Sequence, residues 1–459
     1  MVQKLDFDQD LIKKYDKSGP RYTSYPTAPQ FSTAFTEQSL KECIERSNDE
    51  IIPKPLSLYI HIPYCDTICY YCACNKIITK NHDVTEEYLQ LLEAEMEMLS
   101  PLFDKDRELN QLHLGGGTPT FLNDQEMTQL MAMIEANFKV SPNCEMSIEI
   151  DPRKVTDDTI RLLNKIGFNR ISLGVQDFDE RVQKAVNRVQ SYELVRDRLN
   201  AAREVGIESI NMDLIYGLPF QTVETFAQTL DKVIELKPDR LSIFNYAHLP
   251  ERFKPQRRIN EDELPSPAEK LEIFKLTMDK LQQAGYVYIG MDHFALAGDS
   301  MVKAQQEGTL QRNFQGYSTN ADTDLVAVGV SSIGSIADTY SQNSPKIDDY
   351  REMIKSKKLP LVRGFVMSDE DRLRKQVIGQ LICHFRLDIK KIEEDWEIDF
   401  KKYFQSELKE LDEMVQDGLV SIDDDFITVE ARGRLLIRNV CMVFDQYLKD
   451  NQVKFSKVI

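Results

Sequence analysis

Between residues 56 and 285 the chain alternates two hydrophobic periods. Leu56, Leu58, Ile60 and Ile62, separated by Ser57, Tyr59 and His61, have the two-residue period of a strand. Leu89, Leu92, Met96 and Leu99 then form a helical stripe, with Asp83 and Glu86 placed to start it. The exchange repeats. Strands are predicted over Leu109–Leu114, Met146–Ile150, Arg170–Leu173, Ser209–Leu214 and Arg240–Phe244. Helices are predicted from Asn123 to Phe138, from Thr159 to Ile166, up to Val205, from Thr222 to Leu236 and from Ser266 to Ala284. Asn123 with Glu126, and Ser266-Pro267 with Glu269, are the strongest starts. Each residue group that is odd for packing falls at a strand's C-terminal end: four cysteines after Ile62, Gly115-Gly116-Gly117-Thr118, Asp151-Pro152, Gln176-Asp177, Gly217-Leu218-Pro219 and Asn245-Tyr246. Parallel α/β barrels keep their chemistry there. The expected fold is α/β, a parallel TIM-like barrel or partial barrel of six units.

The flanks read differently. Residues 1–50 form a polar arm whose dense feature is GPRYTSYPTA around Arg21. Residues 286–350 add an extra strand and a loop rich in Gly, Ser, Thr and Asp. From residue 360 a helix (Asp371–His384), a second helix (Glu407–Gln416), a hairpin tipped by Asp423-Asp424-Asp425 and a last helix (Arg432–Leu448) suggest a small winged-helix-like domain. The division expected is an arm over 1–50, a barrel with extension over 51–350 and a helical C-terminal domain over 360–459.

Composition narrows the function. Charged residues are 29 % and hydrophobic ones 42 % of 459, ordinary values for a soluble protein. No window approaches twenty apolar residues and the N-terminus has no apolar signal core, so a cytoplasmic location with no membrane contact is expected. A net charge of −18 argues against nucleic acid as a partner, and the acidic hairpin tip argues against the DNA binding often associated with winged helices. Cys43, Cys144, Cys383 and Cys441 lie scattered in apolar surroundings and read as buried small hydrophobes.

The other four cysteines are crowded: Cys65, Cys69, Cys72 and Cys74. Zinc sites usually pair two cysteines with two more ligands a dozen or more residues away, and no such second half follows. Gaps of three and then two residues let three thiolates converge on a small iron–sulfur cluster; zinc and redox-active thiols remain the alternatives. Glu149, between Ile148 and Ile150, points into the barrel, as does Asp213 after Ile210 and Met212. Glycines 116 and 117 would let backbone approach a ligand. The sequence holds no nucleophile elbow, zinc helix or phosphate loop, so no catalytic side chain is assigned.

Cys65-x3-Cys69-x2-Cys72, with Tyr71 before the last ligand, resembles the signature of radical S-adenosylmethionine enzymes. Cys74-Asn75-Lys76, GPRYTSYPTA, HLGGGTPT, IEIDPR, GVQDF, DLIYGLP, FNYAHLP, GMDHFA and RNFQGY extend the likeness along the chain, in order, to the oxygen-independent coproporphyrinogen III oxidases. The resemblance implies a three-quarter barrel and a 4Fe-4S cluster on Cys65, Cys69 and Cys72. It further implies two S-adenosylmethionine molecules: Tyr59, Gly116, Glu149 and Ile333 match the positions around the one on the cluster. Tyr71, Gly117, Thr118, Gln176, Arg188, Asp213 and Ala247 match those around the second. The implied activity is decarboxylation of two propionates of coproporphyrinogen III to vinyls in haem biosynthesis, started by a 5′-deoxyadenosyl radical. A tetrapyrrole substrate, an electron donor such as a flavodoxin or ferredoxin system, and a monomeric state complete the expectation. Arg21, Lys76 and Arg312 are candidates for gripping propionates.

Two points qualify the likeness. Haem-binding relatives keep the cluster but lack the cysteine after CxxC, RNFQGY and usually the arm; this chain has all three. Such enzymes commonly carry glycine after the third ligand, where this chain has Ala73. Were positive φ required there, alanine would cost on the order of a kcal/mol. Arg188 and His61 have plainer readings, as a solvated surface charge and a core histidine.

Overall fold

The computed structural model describes residues 5–320 and 322–448; the first four residues of the arm and the last eleven of the C-terminal domain lie outside it. The described chain forms two compact units whose bounds do not follow sequence order. The larger holds Phe31–Pro265 and Asp322–Val366; the smaller holds the described residues before, between and after these.

Six parallel strands build the larger unit: β1 (Leu56–Ile62), β2 (Glu108–Gly116), β3 (Lys139–Ile150), β4 (Arg170–Gln176), β5 (Ser209–Tyr216) and β6 (Arg240–Asn245). They pair in that order, as the six-unit reading requires. A seventh parallel strand, β7 (Asp324–Val328), pairs with the free side of β1. The antiparallel strands β8 (Ile333–Ile336), β9 (Thr339–Asn343) and β10 (Leu361–Val366) follow beyond it. Residues 286–350 therefore hold more than one added strand. Nothing local marks β7 as a neighbour of β1, more than 250 residues away.

Register explains where the chemistry goes. Tyr59 pairs with His113, His113 with Ser147, Glu149 with Ser172, Gly174 with Asp213 and Asp213 with Ser242. Alternation puts these residues on one face and Leu58, Ile60, Leu112, Leu114, Ile148, Leu173, Met212 and Leu214 on the other. The second set is fully buried, whereas the first set is polar and mostly half-exposed. The apolar face takes the helices, among them α1 (Val84–Leu99), α2 (Asp124–Asn137), α3 (Asp157–Lys165), α4 (Tyr192–Glu204) and α5 (Val223–Leu236). Asn123 and Glu126 form the expected capping box at α2, and Ser266 accepts from Glu269 N at the helix Pro267–Gln283. Asp83 does not cap α1: its own backbone is already helical and its carboxylate accepts no amide there.

In the smaller unit the C-terminal part runs helix (Asp369–His384), strand, three further helices (Ile389–Trp396, the short Phe400–Tyr403 and Gln405–Gln416) and a hairpin, a winged-helix-like order. The last helix is shorter than its hydrophobic pattern suggested, with only Ile437–Val443 regular. The arm's GPRYTSYP stretch is held there. Arg438 donates Nε to Pro20 O at 2.9 Å and Nη2 to Gly19 O, and Tyr22 donates to Asp445 at 3.0 Å. Arg21 is ion-paired with Asp292, and Arg312 Nε donates to Arg21 O at 3.3 Å.

Candidate cofactor centre

β1 leads through Pro63 into the cysteine loop, whose base is tied by parallel pairing of Tyr64–Cys65 with Ile77–Ile78. Cys65 and Cys69 are buried, Cys72 is half-buried and Cys74 is exposed. Thr118 Oγ1 donates to Cys65 Sγ at 3.3 Å. Arg188 Nη1 and Arg153 Nη2 reach Cys69 Sγ at 3.6 and 3.9 Å. A hydrogen bond from the Cys74 thiol, aided by the Lys76 charge, lowers the pKa of the Cys72 thiol and favours its thiolate form. Burial pushes Cys65 up to about 11, and a metal ion has to displace that proton. Lys76 Nζ is already engaged by Cys72 O and Cys74 O at 3.0 and 3.4 Å, holding the loop's end.

An all-thiol donor set with arginine charge beside it fits an iron–sulfur cluster, whose sulfur ligands are anionic. Among the described residues no three His, Cys, Asp or Glu side chains are drawn to the spacing of one metal ion. Ligands that each take a different iron need not be. Ala73 does not have a positive φ, so the backbone strain that position could have imposed on alanine does not arise.

The three glycines at the C-terminal end of β2 are each crowded by a different neighbour. A Cβ on Gly117 would stand 2.6 Å from Pro63 O, and one on Gly116, which also has φ +116°, would stand 2.6 Å from the His61 ring. Gly117 N donates to Ile62 O at 2.8 Å and Thr118 N to Tyr64 O at 3.0 Å, so this turn is laced to the root of the cysteine loop. His61 bridges Tyr59 Oη (3.1 Å) and Asn75 O (3.0 Å); burial lowers its pKa and keeps it neutral. It therefore joins β1 to the far end of the loop and is more than a core histidine. Tyr59 stacks on His113 with ring centres 5.8 Å apart. His113 Nε2 lies 3.6 Å from Glu149 Oε1, and Gly116 N donates to Glu149 Oε2 at 3.3 Å. Glu149 is 47 % exposed toward the lumen, so its outer lone pairs are open to a ligand.

A second group lines the next strands. Gln176 ends β4 with φ +71° after a bulge, which turns its side chain at the strand's mouth. Asp213 accepts from Ser172 Oγ and Asn211 Nδ2, both at 2.8 Å. Burial, with Glu149's charge added, pushes its carboxyl up to about 6. Arg188 is no surface charge: it is 7 % exposed, donates Nε to Gly174 O at 3.1 Å and lies 3.3 Å from Asp151. Tyr71, Asp151 and Cys69 beside it raise its pKa further despite its burial. Tyr71 packs against Val182, Val186, Leu218, Tyr246 and Ile259. Ala247 is exposed on the loop after β6 and Ile333 is half-buried at the start of β8.

Comparison with known proteins now decides the family. The Radical SAM superfamily model matches residues 59–233 and that of the HemN C-terminal domain matches residues 367–436. An oxygen-independent coproporphyrinogen III oxidase of Pseudomonas aeruginosa is 50 % identical over 462 residues, covering 100 % of both chains. That of Escherichia coli K12 is 50 % identical over 460 residues, again covering 100 % of both. A solved coproporphyrinogen III oxidase from Escherichia coli, described as a radical SAM enzyme, superposes with a TM-score of 0.93 at 48 % identity, covering 97 % of this chain and 100 % of that one. The chain belongs to the oxygen-independent coproporphyrinogen III oxidase family.

Membership of the radical SAM superfamily implies a 4Fe-4S cluster and S-adenosylmethionine as cofactors. It also frames what the sequence alone did not single out. His113 falls two residues before Gly115, on the lumen face of β2, and the alternation could have marked it as Glu149's neighbour. Asp151 sits within the quoted IEIDPR stretch, yet its pairing with Arg153 at 2.6 Å and Arg188 at 3.3 Å beneath Cys69 depends on the fold. Among the described residues no helix is long and apolar enough to cross a membrane.

Proposed function

We propose that this chain catalyses the reaction its relatives are named for. Two propionates of coproporphyrinogen III are oxidatively decarboxylated to vinyls, giving protoporphyrinogen IX in oxygen-independent haem biosynthesis. The observation that carries the reading is the match over the whole of both chains at 50 % identity. Bound together, the 4Fe-4S cluster and S-adenosylmethionine supply the 5′-deoxyadenosyl radical that takes a hydrogen from the substrate. The chain's own residues hold, orient and keep out water.

Cys65, Cys69 and Cys72 are assigned as the cluster's ligands, with Cys74 outside the set. Tyr59, Gly116, Glu149 and Ile333 border the S-adenosylmethionine on the cluster. Glu149's open carboxylate suits an ammonium or ribose hydroxyls, and the backbone of Gly116 admits close approach. The finer reading is a second S-adenosylmethionine against Tyr71, Gly117, Thr118, Gln176, Asp213 and Ala247. Asp213 supports it: a lumen carboxylate served by neutral donors from Ser172, Asn211 and Ser242 gains from a cationic ligand. Arg188 turns its guanidinium inward to Gly174 O, Asp151 and Cys69, so its part is to shape the wall and add positive charge near the cluster. Reduction by a flavodoxin or ferredoxin system, a monomeric state and a cytoplasmic location complete the proposal. The relatives carry the oxidase name over their full length, which favours the enzyme over a haem-delivery role.

The test is anaerobic. Reconstituted, reduced protein with S-adenosylmethionine should release 5′-deoxyadenosine in step with added coproporphyrinogen III. Release that ignores the substrate, or none with it, contradicts the proposal.

A further inference from the structure

Two buried side chains on α1 are used by nothing described so far. Tyr88 and Glu95 stand seven residues apart on one face of the helix, and each is 1 % exposed. The Tyr88 hydroxyl donates to His61 O at 2.7 Å and accepts from Val330 N at 3.0 Å. Glu95 accepts from Gly329 N at 2.8 Å, Asn343 Nδ2 at 2.6 Å and Tyr350 Oη at 2.5 Å. Asn343 Nδ2 also reaches Gly329 O and Ser332 Oγ, both at 3.0 Å. A buried carboxylate with three donors and no cation is a costly arrangement for packing alone, since apolar side chains fill such a place more cheaply.

What these bonds connect is specific. His61 lies at the end of β1 and its ring holds Asn75 O at the far end of the cysteine loop. Gly329–Ser332 is the turn between β7 and β8 that leads into Ile333. Gly329 has φ +99°, and a Cβ there would stand 2.7 Å from His61 O and 2.8 Å from Tyr88 Oη, so the two segments touch with no room between them. We infer that Tyr88 and Glu95 are positioning residues that lock the Gly329–Ile333 turn to the root of the cysteine loop, so that both walls of the S-adenosylmethionine cradle keep one spacing. The inference rests on the cofactor reading above. A small pocket lined by Glu95, Ser332, Gly334, Ser341 and Asn343 lies beside these bonds.

Tyr88→Phe removes the hydroxyl and keeps the ring, which packs edge-on to Tyr64 at 5.5 Å; Glu95→Gln keeps the shape and removes the charge. The experiment titrates S-adenosylmethionine into reduced, cluster-loaded protein and follows the cluster's electron paramagnetic resonance signal. Steady-state KM and kcat are measured beside it. Each variant should bind S-adenosylmethionine about tenfold more weakly, with KM raised to match and kcat at saturation within twofold of the parent. Leu130→Ala, a buried change in α2, should lower the melting temperature and leave the affinity alone. Variants that melt earlier but bind like the parent would overturn the coupling. A parent protein whose cluster signal ignores S-adenosylmethionine would instead overturn the cofactor reading on which the inference rests.

Discussion

Replacing Asp213 by asparagine separates the proposed second cofactor site from the first. The carboxyl lies on β5 facing the lumen, takes hydrogen bonds from Ser172 and Asn211, and is pushed by burial from 3.8 to about 6. Its folded-state pKa is raised, so ionisation works against the fold. The protein free of ligand should lose stability as pH climbs from about 4 through 6, by at most roughly 3 kcal/mol at 1.36 kcal/mol per pKa unit. A cationic ligand beside the carboxylate reverses this term. With a pKa of about 6, only about a tenth of the carboxyls are ionised at pH 5 and nearly all at pH 8. Affinity for the second S-adenosylmethionine should therefore rise about tenfold over that range, levelling above pH 7. Asp213→Asn should abolish the slope and bind at the low level throughout. It should also stabilise the free protein at pH 7, because the hydroxyl of Ser172 can turn to accept from the new amide. Equilibrium dialysis with labelled S-adenosylmethionine at several pH values, with the cluster-bound molecule counted separately by its spectroscopic signal, reads both sites. A variant that keeps the parent's slope, or a parent with none, refutes the assignment of a carboxylate–cation contact to Asp213.

Three further outcomes follow from the same geometry. Gly117→Ala forces a methyl group to 2.6 Å from Pro63 O, a backbone atom that cannot swing away. It should cost about 1–3 kcal/mol, read by denaturant unfolding, and weaken S-adenosylmethionine binding because the turn is laced to the cysteine loop; a variant as stable and as tight-binding as the parent contradicts the crowding argument. Cys74→Ala should retain iron and the cluster's response to S-adenosylmethionine, whereas alanine at Cys65, Cys69 or Cys72 should lose both; iron analysis that singles out Cys74 as essential would reassign the ligands. Burial lifts Glu95 from 4.5 to about 7, so the parent should lose stability, on the order of 3 kcal/mol at most, as pH rises from about 4.5 to 7. Glu95→Gln should flatten that part of the curve, and an unchanged slope in chemical denaturation would show that Glu95 does not titrate there.

Much of the barrel was legible because strand and helix periods are local properties. Six alternating units, the odd residues at strand ends and the inward aim of Glu149 and Asp213 all follow from counting by twos. Strand β7 was not legible: its pairing with β1 depends on chain brought back from beyond residue 320, and no local pattern encodes that return. Arg188 reads as exposed because arginine usually is; only the fold reveals Gly174 O, Asp151 and Cys69 waiting around it. Glu95 escaped for the same reason, since its neighbours Leu92, Met96 and Leu99 suffice to define the buried stripe of α1. In the sequence, Gly116 and Gly117 read only as places where backbone could approach a ligand. In the structure each is crowded by a separate neighbour: Glu149 and His113 at Gly115, His61 at Gly116 and Pro63 at Gly117.

The central claim is tested most directly by following the propionates themselves. Anaerobic, reduced protein given S-adenosylmethionine and coproporphyrinogen III should yield a monovinyl, tripropionate intermediate and then protoporphyrinogen IX. Mass spectrometry should find each carboxyl lost as carbon dioxide, matched by methionine release. Intact coproporphyrinogen III with no carbon dioxide, alongside tight stoichiometric binding of haem, would contradict the account and make the chain a haem-handling protein.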